Sequence, residues 1–432
     1  MRISWTSRDE VEAYRDARLR RLLVHAYERV PYYRKLFDRH RLHPRHVRGV
    51  VDLDLIPITS KQDLRSLPDK QLLASGLNPA HLLSVRTSGS TGEPFTIRRT
   101  WLEDKRNYLL RLRALGTLGL RFGDCWVVVG VMRPNHPNDQ KLLGKALRAL
   151  GISRSFRING LEEPAETARL LRRLRPDVIS GMPGLLCRVA DHLVSSGGEA
   201  VRPRVLIVGG EVLTPVMNRR LTEAFGVPVR QTYASHEFPL LGWECTATGQ
   251  IHTCDDGVIL EVLHEGRPAR PGESGEVVAT NLSAYAMPFI RYRLGDIATR
   301  GDECCACGKP FSTLRAIQGR MIDSFTLPDG RVLHPYQILA RMIGGGDSWI
   351  RQYQLLQERK DRIVLRVLPS WPSVAEQISE IERSVHPLLG PGVEFRVQLL
   401  DEMPLDPSGK FRPACSLVPS EHDGTPTAPS CG

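Results

Sequence analysis

A short run of hydroxyl and glycine residues is the part of the chain best suited to chemistry. Residues 87–94 read Thr-Ser-Gly-Ser-Thr-Gly-Glu-Pro, which gives four hydroxyl side chains and two glycines before a proline. Glycine allows close approach and leaves backbone amides open, so such a loop can surround a polyphosphate. The run is not a Walker P-loop, because the G-x-x-x-x-G-K-[ST] spacing is missing and no lysine follows. Taken alone, such a run is more often an ordinary surface turn.

Four later segments carry side chains that suit a bound nucleotide. Tyr233 could stack on a base, and Glu237, four residues later, could hold Mg²⁺ against phosphates. Asp296, at a predicted strand end, could accept hydrogen bonds from two ribose hydroxyls. Lys410 offers a cation flanked by the loop-forming residues Ser and Gly. In chain order, the segments are residues 231–237, 291–296, 319–320 and 407–412.

The composition is that of an ordinary globular protein. Of 432 residues, 41% are hydrophobic and 25% are charged. No apolar run approaches the roughly 20 residues that span a bilayer. The N-terminus mixes both charges and lacks an apolar signal core, so a cytoplasmic location away from membranes is expected. The net charge of +11 comes mostly from arginines dispersed along the chain, which argues against nucleic acid as a partner.

The spacing of apolar residues predicts an α/β protein with a separate C-terminal part. Residues 8–42 show helical spacing, and Pro31 should end or kink the first helix. Strand-like and helical runs alternate from about 84 to 230, which predicts βαβ units and a mostly parallel sheet. Short strands from about 248 to 300 predict a small antiparallel sheet. The predicted domains are residues 1–318, a compact α+β unit at 319–413 and a disordered tail at 414–432.

The five segments, taken together and in this order, indicate a family. The chain resembles the adenylate-forming (ANL) superfamily and, within it, the phenylacetate–CoA ligases and capsular-polysaccharide-type adenylating proteins. The resemblance covers residues 8–413. It includes two segments typical of that branch, Ala-Tyr-Glu-Arg-Val-Pro-Tyr-Tyr at 26–33 and Leu-Ile-Pro-Ile-Thr-Ser-Lys at 55–61. It implies a large N-terminal adenylation domain and a small mobile C-terminal cap.

The resemblance also implies a ligase that works in two steps. A carboxylate attacks the α-phosphate of ATP, giving an acyl-adenylate and pyrophosphate, and a second nucleophile, usually the thiol of coenzyme A, then displaces AMP. The protein chiefly aligns the reactants and stabilises charge. The implied catalytic residues are Lys410, Glu237 and Thr91. The implied contacts are Thr87, Ser88, Gly89, Ser90, Thr91 and Gly92 with the β- and γ-phosphates, Gly209, Gly210 and Glu211 with the adenine pocket, Tyr233 with the base, Asp296 with the ribose, Glu237 with Mg²⁺, and Arg320 near the hinge.

In the implied mechanism the cap rotates about a hinge near Arg320. This rotation would place Lys410 between the carboxylate and the α-phosphate for adenylation and remove it for transfer. The chain departs from the pattern at two places. Ile322 stands where many relatives carry an acidic residue and the acid follows at Asp323, so the hinge residue is open. His236 replaces the usual threonine and could reach the acyl substrate or simply pack and form hydrogen bonds.

A cysteine-rich segment suggests a metal site. Residues 304–308 read Cys-Cys-Ala-Cys-Gly, which resembles half of a zinc site. In an apparently cytosolic chain, cysteines are expected to be thiols or metal ligands rather than disulfides. The related ligases favour a structural zinc with four ligands, with Cys304 and Cys254 as competitors. The four favoured ligands are Cys245, His252, Cys305 and Cys307. The alternative is a set of unmetallated, partly buried thiols.

Three functions remain open at this point. The leading one is ATP-dependent activation of a carboxylic acid, possibly an aromatic one, with transfer to coenzyme A. The second keeps the adenylation step and transfers the acyl group to an amine. The third is a degenerate member that serves as a binding or scaffold protein, against which the presence of Glu237, Asp296 and Lys410 argues. The resemblance also raises the possibility of a homodimer.

Overall fold

The structure is a computed structural model. It describes residues 5–86, 95–131, 154–197, 199–320, 325–333, 335, 337–338, 341, 349–371, 373–403 and 413–418. Within them the chain forms two compact units. The first unit comprises Met1–Leu118 with Thr232–Gln318, and the second comprises Gly119–Gln231 with Gly319–Gly432. The predicted domains at 1–318 and 319–413 divide the chain differently and stay a prediction.

The elements alternate between helix and strand in the order that the apolar pattern predicts. The helices are α1 (Arg8–Arg29), α2 (Pro31–Arg39), α3 (Lys61–Arg65), α4 (Asp69–Leu72), α5 (Trp101–Thr117), α6 (Pro164–Leu174), α7 (Pro183–Ser195), α8 (Pro215–Phe225) and α9 (Ala375–Leu389). Short 3-10 turns cover Pro44–His46, Val50–Leu55 and Pro79–His81.

The strands cover most of the remaining described residues. They are β1 (Leu83–Arg86), β2 (Thr96–Arg99), β3 (Trp126–Gly130), β4 (Ser155–Asn159), β5 (Val178–Gly181), β6 (Val205–Val208), β7 (Val229–Tyr233), β8 (Gly242–Glu244), β9 (Ile251–Thr253), β10 (Val258–His264), β11 (Arg267–Pro268), β12 (Ser274–Asn281), β13 (Tyr292–Arg300), β14 (Thr313–Arg320), β15 (Phe325–Thr326), β16 (Val332–Leu333), β17 (Ile350–Arg359), β18 (Arg362–Pro369), β19 (Glu394–Leu399) and β20 (Ala414–Ser416).

The first unit begins with the predicted pair of helices. Ser7 caps α1 by accepting the Glu10 amide, and Pro31 opens α2, where its missing N–H costs nothing. The predicted break at Pro31 is therefore confirmed. Both helices bury apolar side chains in one core, which includes Leu19, Leu22, Leu23, Ala26, Tyr33 and Phe37.

A sheet of short strands forms a large part of the first unit. Their order is β11-β10-β12-β13-β14-β9-β8, and the last two residues of β7 pair with β8. The pairs β10–β12, β12–β13 and β8–β9 are antiparallel. The predicted small antiparallel sheet is confirmed. Separately, β1 and β2 pair antiparallel with Arg86 opposite Thr96, and the predicted phosphate loop at 87–92 lies outside the described residues.

The second unit contains the predicted parallel sheet. The strands β4-β3-β5-β6-β7 lie in this order, and each neighbouring pair is parallel. All four residues of β6, Val-Leu-Ile-Val, are buried, as expected for a strand with both faces covered. Val127, Ile179, Leu185 and Phe225 contribute to the core between this sheet and the helices α6–α8. The helix predicted near residues 140–150 lies outside the described residues.

The C-terminal part of the second unit is a four-stranded sheet in the order β19-β18-β17-β20 with α9. The hairpin β17–β18, the helix α9 and the strand β19 follow the sequence prediction. The predicted disordered tail is wrong for its first residues, because Ala414–Ser416 forms β20, parallel to β17. These three residues are buried. The expectation of thiols or metal ligands rather than disulfides is wrong for Cys415, which is disulfide-bonded. Among the described residues, none of the helices combines the length and the apolarity that crossing a bilayer requires.

Candidate nucleotide site and metal centre

Two hydrogen bonds connect the predicted base motif at 231–237 to the predicted ribose motif at 291–296. The Tyr233 hydroxyl donates to Asp296 Oδ2 at 2.6 Å. In the opposite sense, the Tyr292 hydroxyl donates to Glu237 Oε1 at 3.3 Å. Each motif therefore supplies one tyrosine and one carboxylate to a shared cluster in the first unit. The Tyr233 side chain, predicted to stack on a base, also holds the predicted ribose ligand.

The backbone around Glu237 is fixed from both sides. Arg99 Nη2 donates to the His236 carbonyl at 2.7 Å, and Asn281 Nδ2 donates to the Glu237 carbonyl at 3.0 Å. Burial lowers the pKa of Arg99, although three carboxylates, including that of Glu237, oppose the shift. His236 is exposed, and its carbonyl is what Arg99 contacts. Arg99 was not among the predicted site residues. Its position shortly after the hydroxyl-rich run at 87–94 is the signal that could have indicated it.

An irregularity in β13 lies directly before Asp296. Val278 pairs with Arg293 and Glu276 with Ile297, so two steps along β12 span four along β13. Gly295 sits in this bulge with φ of +76°, a backbone conformation that glycine adopts at low cost. Asp296 follows Gly295 within this irregular stretch, before the next paired residue, Ile297.

Arg291, at the start of the ribose motif, has a strained backbone and a side chain that forms several hydrogen bonds. Its φ is +43°, which is unfavourable for a residue with a Cβ. Its guanidinium donates to Glu261 at 2.8 Å and to the Ile56 carbonyl at 2.7 Å, and both side chains of the ion pair are largely buried. Burial raises the pKa of Glu261, and Arg291 opposes that rise. These contacts hold the strained residue in place.

The two branch-typical segments near the N-terminus support the same motif. Thr59 donates its amide to the Arg291 carbonyl at 2.9 Å and accepts from the Arg293 amide at 2.8 Å. The Tyr33 hydroxyl contacts the Pro288 carbonyl at 3.1 Å and the Ile290 amide at 3.0 Å. Sequence reasoning used these segments as marks of the branch, and the structure shows that they buttress residues 288–293.

Breaking the buried ion pair should destabilise the protein. We expect Glu261→Gln to lower the free energy of unfolding by about 3 kcal/mol, because it leaves the Arg291 charge buried without its partner. The matched control is Glu273→Gln, which removes an exposed pair with Arg267 and should change stability much less. Urea unfolding of both variants measures the difference. Equal midpoints for the two variants would contradict the assigned importance of Arg291.

The predicted adenine segment lies in the second unit, directly after β6. The Gly209 amide donates to the Gly181 carbonyl at 3.2 Å, and Gly210 has φ of +85°. Glu211 Oε2 accepts the Gly184 amide at 2.9 Å, near the start of α7. A carboxylate at a helix N-terminus is stabilised by the helix dipole, so Glu211 anchors α7. Its predicted role in the adenine pocket stays a prediction.

Of the predicted hinge residues, Gly319 and Arg320 lie in the described part of the chain. Arg320 is the final residue of β14, and Gly319 before it has φ of +113°. The residues that lie outside the described part of the chain are Thr87, Ser88, Gly89, Ser90, Thr91, Gly92, Ile322, Asp323 and Lys410. Their predicted roles stay predictions.

The four favoured zinc ligands do lie together, in the first unit. The ligand atoms of Cys245, His252, Cys305 and Cys307 are all within 4.8 Å of one another. His252 Nε2 is 3.2 Å from Cys307 Sγ, and the sulfurs of Cys245 and Cys305 are 3.7 Å apart. Cys245 follows β8 and His252 lies in β9, whereas the other two ligands lie in the segment between β13 and β14. The cluster thus joins a hairpin to a distant turn.

Local interactions lower the pKa of two of these side chains, Cys245 and His252. Burial opposes ionisation of Cys245, but hydrogen bonds from the Thr248 side chain and the amides of Ala247 and Thr248 outweigh it and lower its pKa to about 6. Burial lowers the pKa of His252, which favours the neutral ring that metals bind. Three thiols and one imidazole match the donor set of structural zinc.

The two competing cysteines lie elsewhere. Cys304 is exposed. Cys254 is fully buried, with its sulfur 3.5 Å from Asp256 Oδ1 and 3.7 Å from Arg113 Nη2. Burial, reinforced by Asp256, raises the pKa of Cys254 well above its usual value, so this thiol is a poor metal ligand.

Comparison with known proteins gives relatives over nearly the whole chain. No protein-family model matches it. The chain is 28% identical to a phenylacetate–coenzyme A ligase of Thermus thermophilus, over 95% of this chain and 97% of that protein. It is 21% identical to the protein CapK of Staphylococcus aureus, over 90% and 85% of the two chains. The solved structure of a 2-hydroxyisobutyryl-CoA ligase in complex with R3-HIB-AMP matches with a TM-score of 0.79 at 20% identity, covering 98% of this chain and 92% of that one.

These findings confirm the predicted resemblance at the level of superfamily and fold. The chain has the mixed α/β fold of the adenylate-forming ANL superfamily, and its sequence relatives include the ligase branch that the motifs indicated. The relatives that are named phenylacetate–coenzyme A ligases agree with the predicted resemblance to AMP-forming acid–CoA ligases.

Proposed function

We propose that the protein activates a carboxylic acid with ATP as an acyl-adenylate and then transfers the acyl group to the thiol of coenzyme A. The observation that carries this proposal is the reciprocal pairing of Tyr233 with Asp296 and of Tyr292 with Glu237. It gathers the predicted base, ribose and metal contacts into one cluster. The sequence relatives that are named coenzyme A ligases support the same conclusion.

The roles follow from charge and hydrogen-bonding capacity. The carboxylate of Asp296 would accept ribose hydroxyls, with Tyr233 fixing its orientation. Glu237 would hold Mg²⁺, which supplies positive charge against the phosphates when it is bound. Lys410 would stabilise the charge that develops as the incoming carboxylate attacks the α-phosphate. In the first step no proton is transferred, since the attacking carboxylate is already ionised and pyrophosphate leaves with its electron pair. In the second step the coenzyme A thiol gives its proton to solvent and attacks the acyl carbon, and AMP leaves with the electron pair of the broken C–O bond.

The cysteine cluster would bind a structural Zn²⁺ in this proposal. Four protein ligands close the coordination shell, so no position is left for water or substrate. The metal would fasten the β8–β9 hairpin to the segment between β13 and β14. Rotation of the C-terminal part, a homodimer and a cytoplasmic location stay predictions.

Product analysis tests the acceptor. We expect AMP and an acyl-CoA thioester to form only when ATP, coenzyme A and a suitable acid are all present, in a panel of aryl, alkyl and amino acids. Chromatography with mass detection measures both products. AMP formation that requires an amine and gives an amide would replace coenzyme A as the acceptor. No AMP with any acid or acceptor would favour a non-catalytic binding protein.

A further inference from the structure

Tyr292 lies in the predicted ribose motif at 291–296, yet its hydroxyl forms a hydrogen bond with the predicted base motif at 231–237. It donates to Glu237 Oε1 at 3.3 Å. Tyr292 as a whole residue is only 2% exposed. Its ring packs edge-on against Phe289, with ring centroids 5.2 Å apart, and lies beside Phe238, with centroids 6.2 Å apart. Because the ring is enclosed on these sides, the direction of the hydroxyl is set by packing rather than by solvent.

The backbone of Tyr292 is held as firmly as its ring. The residues on both sides, Arg291 and Arg293, are hydrogen-bonded to Thr59 through the carbonyl and the amide respectively. The preceding residue is also locked by the buried pair of Arg291 and Glu261. The phenol therefore projects from a rigid base.

The main chain of Glu237 is held by hydrogen bonds, whereas one of its two carboxylate oxygens remains available to a ligand. Arg99 and Asn281 hold the carbonyls of His236 and Glu237. Glu237 Oε1 receives Tyr292, whereas Oε2 accepts no hydrogen bond from the residues that the structure describes. A carboxylate with one oxygen tied and one oxygen available suits a hard divalent cation, which prefers oxygen ligands and strict geometry. Partners that orient a metal ligand commonly determine metal affinity.

We propose that Tyr292 is a positioning residue that orients the Glu237 carboxylate for the divalent cation accompanying ATP. This inference rests on the proposed function and deepens it, because it makes the affinity for the cation depend on Tyr292, a residue outside the base motif at 231–237. In this proposal Tyr292 acts through Glu237 rather than by touching the nucleotide or the acid itself.

The test is Tyr292→Phe, which keeps the ring and removes only the hydroxyl. Binding of Mn²⁺ in the presence of a non-hydrolysable ATP analogue, followed by electron paramagnetic resonance, gives a readout independent of turnover. We expect the half-saturating Mn²⁺ concentration to rise by roughly two- to tenfold, the range for losing one ordinary hydrogen bond, because the 3.3 Å contact is longer than a typical O–H···O bond. The Mg²⁺ requirement of acid-dependent pyrophosphate exchange should rise in parallel, with the rate at saturating Mg²⁺ changing by about twofold or less.

A matched control and a double variant separate positioning from general damage. Tyr27→Phe removes a comparable bond, from the Tyr27 hydroxyl to Asp38 Oδ1 at 3.0 Å, outside both motifs, and should leave the Mn²⁺ affinity unchanged. In a Glu237→Gln background, Tyr292→Phe should add no further effect on the cation. If the wild type is active and Tyr292→Phe binds Mn²⁺ with the same affinity, the positioning role is overturned while the proposed function stands. A wild type without acid-dependent exchange overturns the proposed function and this inference with it.

Discussion

Lys410→Ala is expected to lose adenylation by roughly a hundredfold or more, the effect of removing one group that stabilises transition-state charge. The second half-reaction, thiol transfer from a supplied acyl-adenylate, should keep most of its rate. The reason is that the lysine is proposed to contact the reacting carboxylate and phosphate only during the first step. Pyrophosphate exchange measures the first step, and thioester formation from synthetic acyl-adenylate measures the second.

The chain offers a matched control for this variant. Lys360 is the preceding lysine in the sequence and lies exposed on the turn between β17 and β18. Lys360→Ala should leave both half-reactions near their wild-type rates. Equal loss of the two half-reactions in Lys410→Ala would refute its assignment to adenylation.

Protein purified without added metal is expected to contain about one zinc ion per chain, and loss of a ligand should be costly. A structural zinc contributes its binding energy to folding. Cys305→Ser should therefore lose the metal and lower the melting temperature by roughly 5 °C or more. Elemental analysis and calorimetry measure the two effects.

The neighbouring thiol is the control for the zinc prediction. Cys304 is adjacent in sequence but exposed and outside the cluster, so Cys304→Ser should keep both the metal and the melting temperature. Protein that holds no metal and whose clustered thiols all titrate freely would remove the zinc proposal. An identical response of the two serine variants would show that the cluster has no special role.

The parts of the fold that the sequence predicted are those with a local cause. Pro31 must break a helix at its own position, and the βαβ alternation appears directly in the order of apolar runs. The cluster of cysteines and histidine was also predictable, but the resemblance to related ligases supplied its ligand set, because the sequence alone left Cys304 and Cys254 as competitors. The four side chains lie together as expected, while the ion remains a proposal.

The parts that the sequence did not predict depend on distant contacts. Nothing local to Arg291 signals its positive φ, since the compensating partners are Glu261 and Thr59. The pairing of Tyr292 with Glu237 spans 55 residues and requires the bulge and register of a sheet. The strand β20 was missed because its three residues pair with β17, which lies more than 50 residues earlier in the chain.

The most direct test of the central claim is carboxylate-dependent exchange of labelled pyrophosphate into ATP, measured across a panel of acids. The account predicts exchange that requires both Mg²⁺ and one class of acid, proceeds without coenzyme A, and falls strongly in Asp296→Ala. Exchange that is absent with every acid, or that is unchanged in Asp296→Ala, would contradict it.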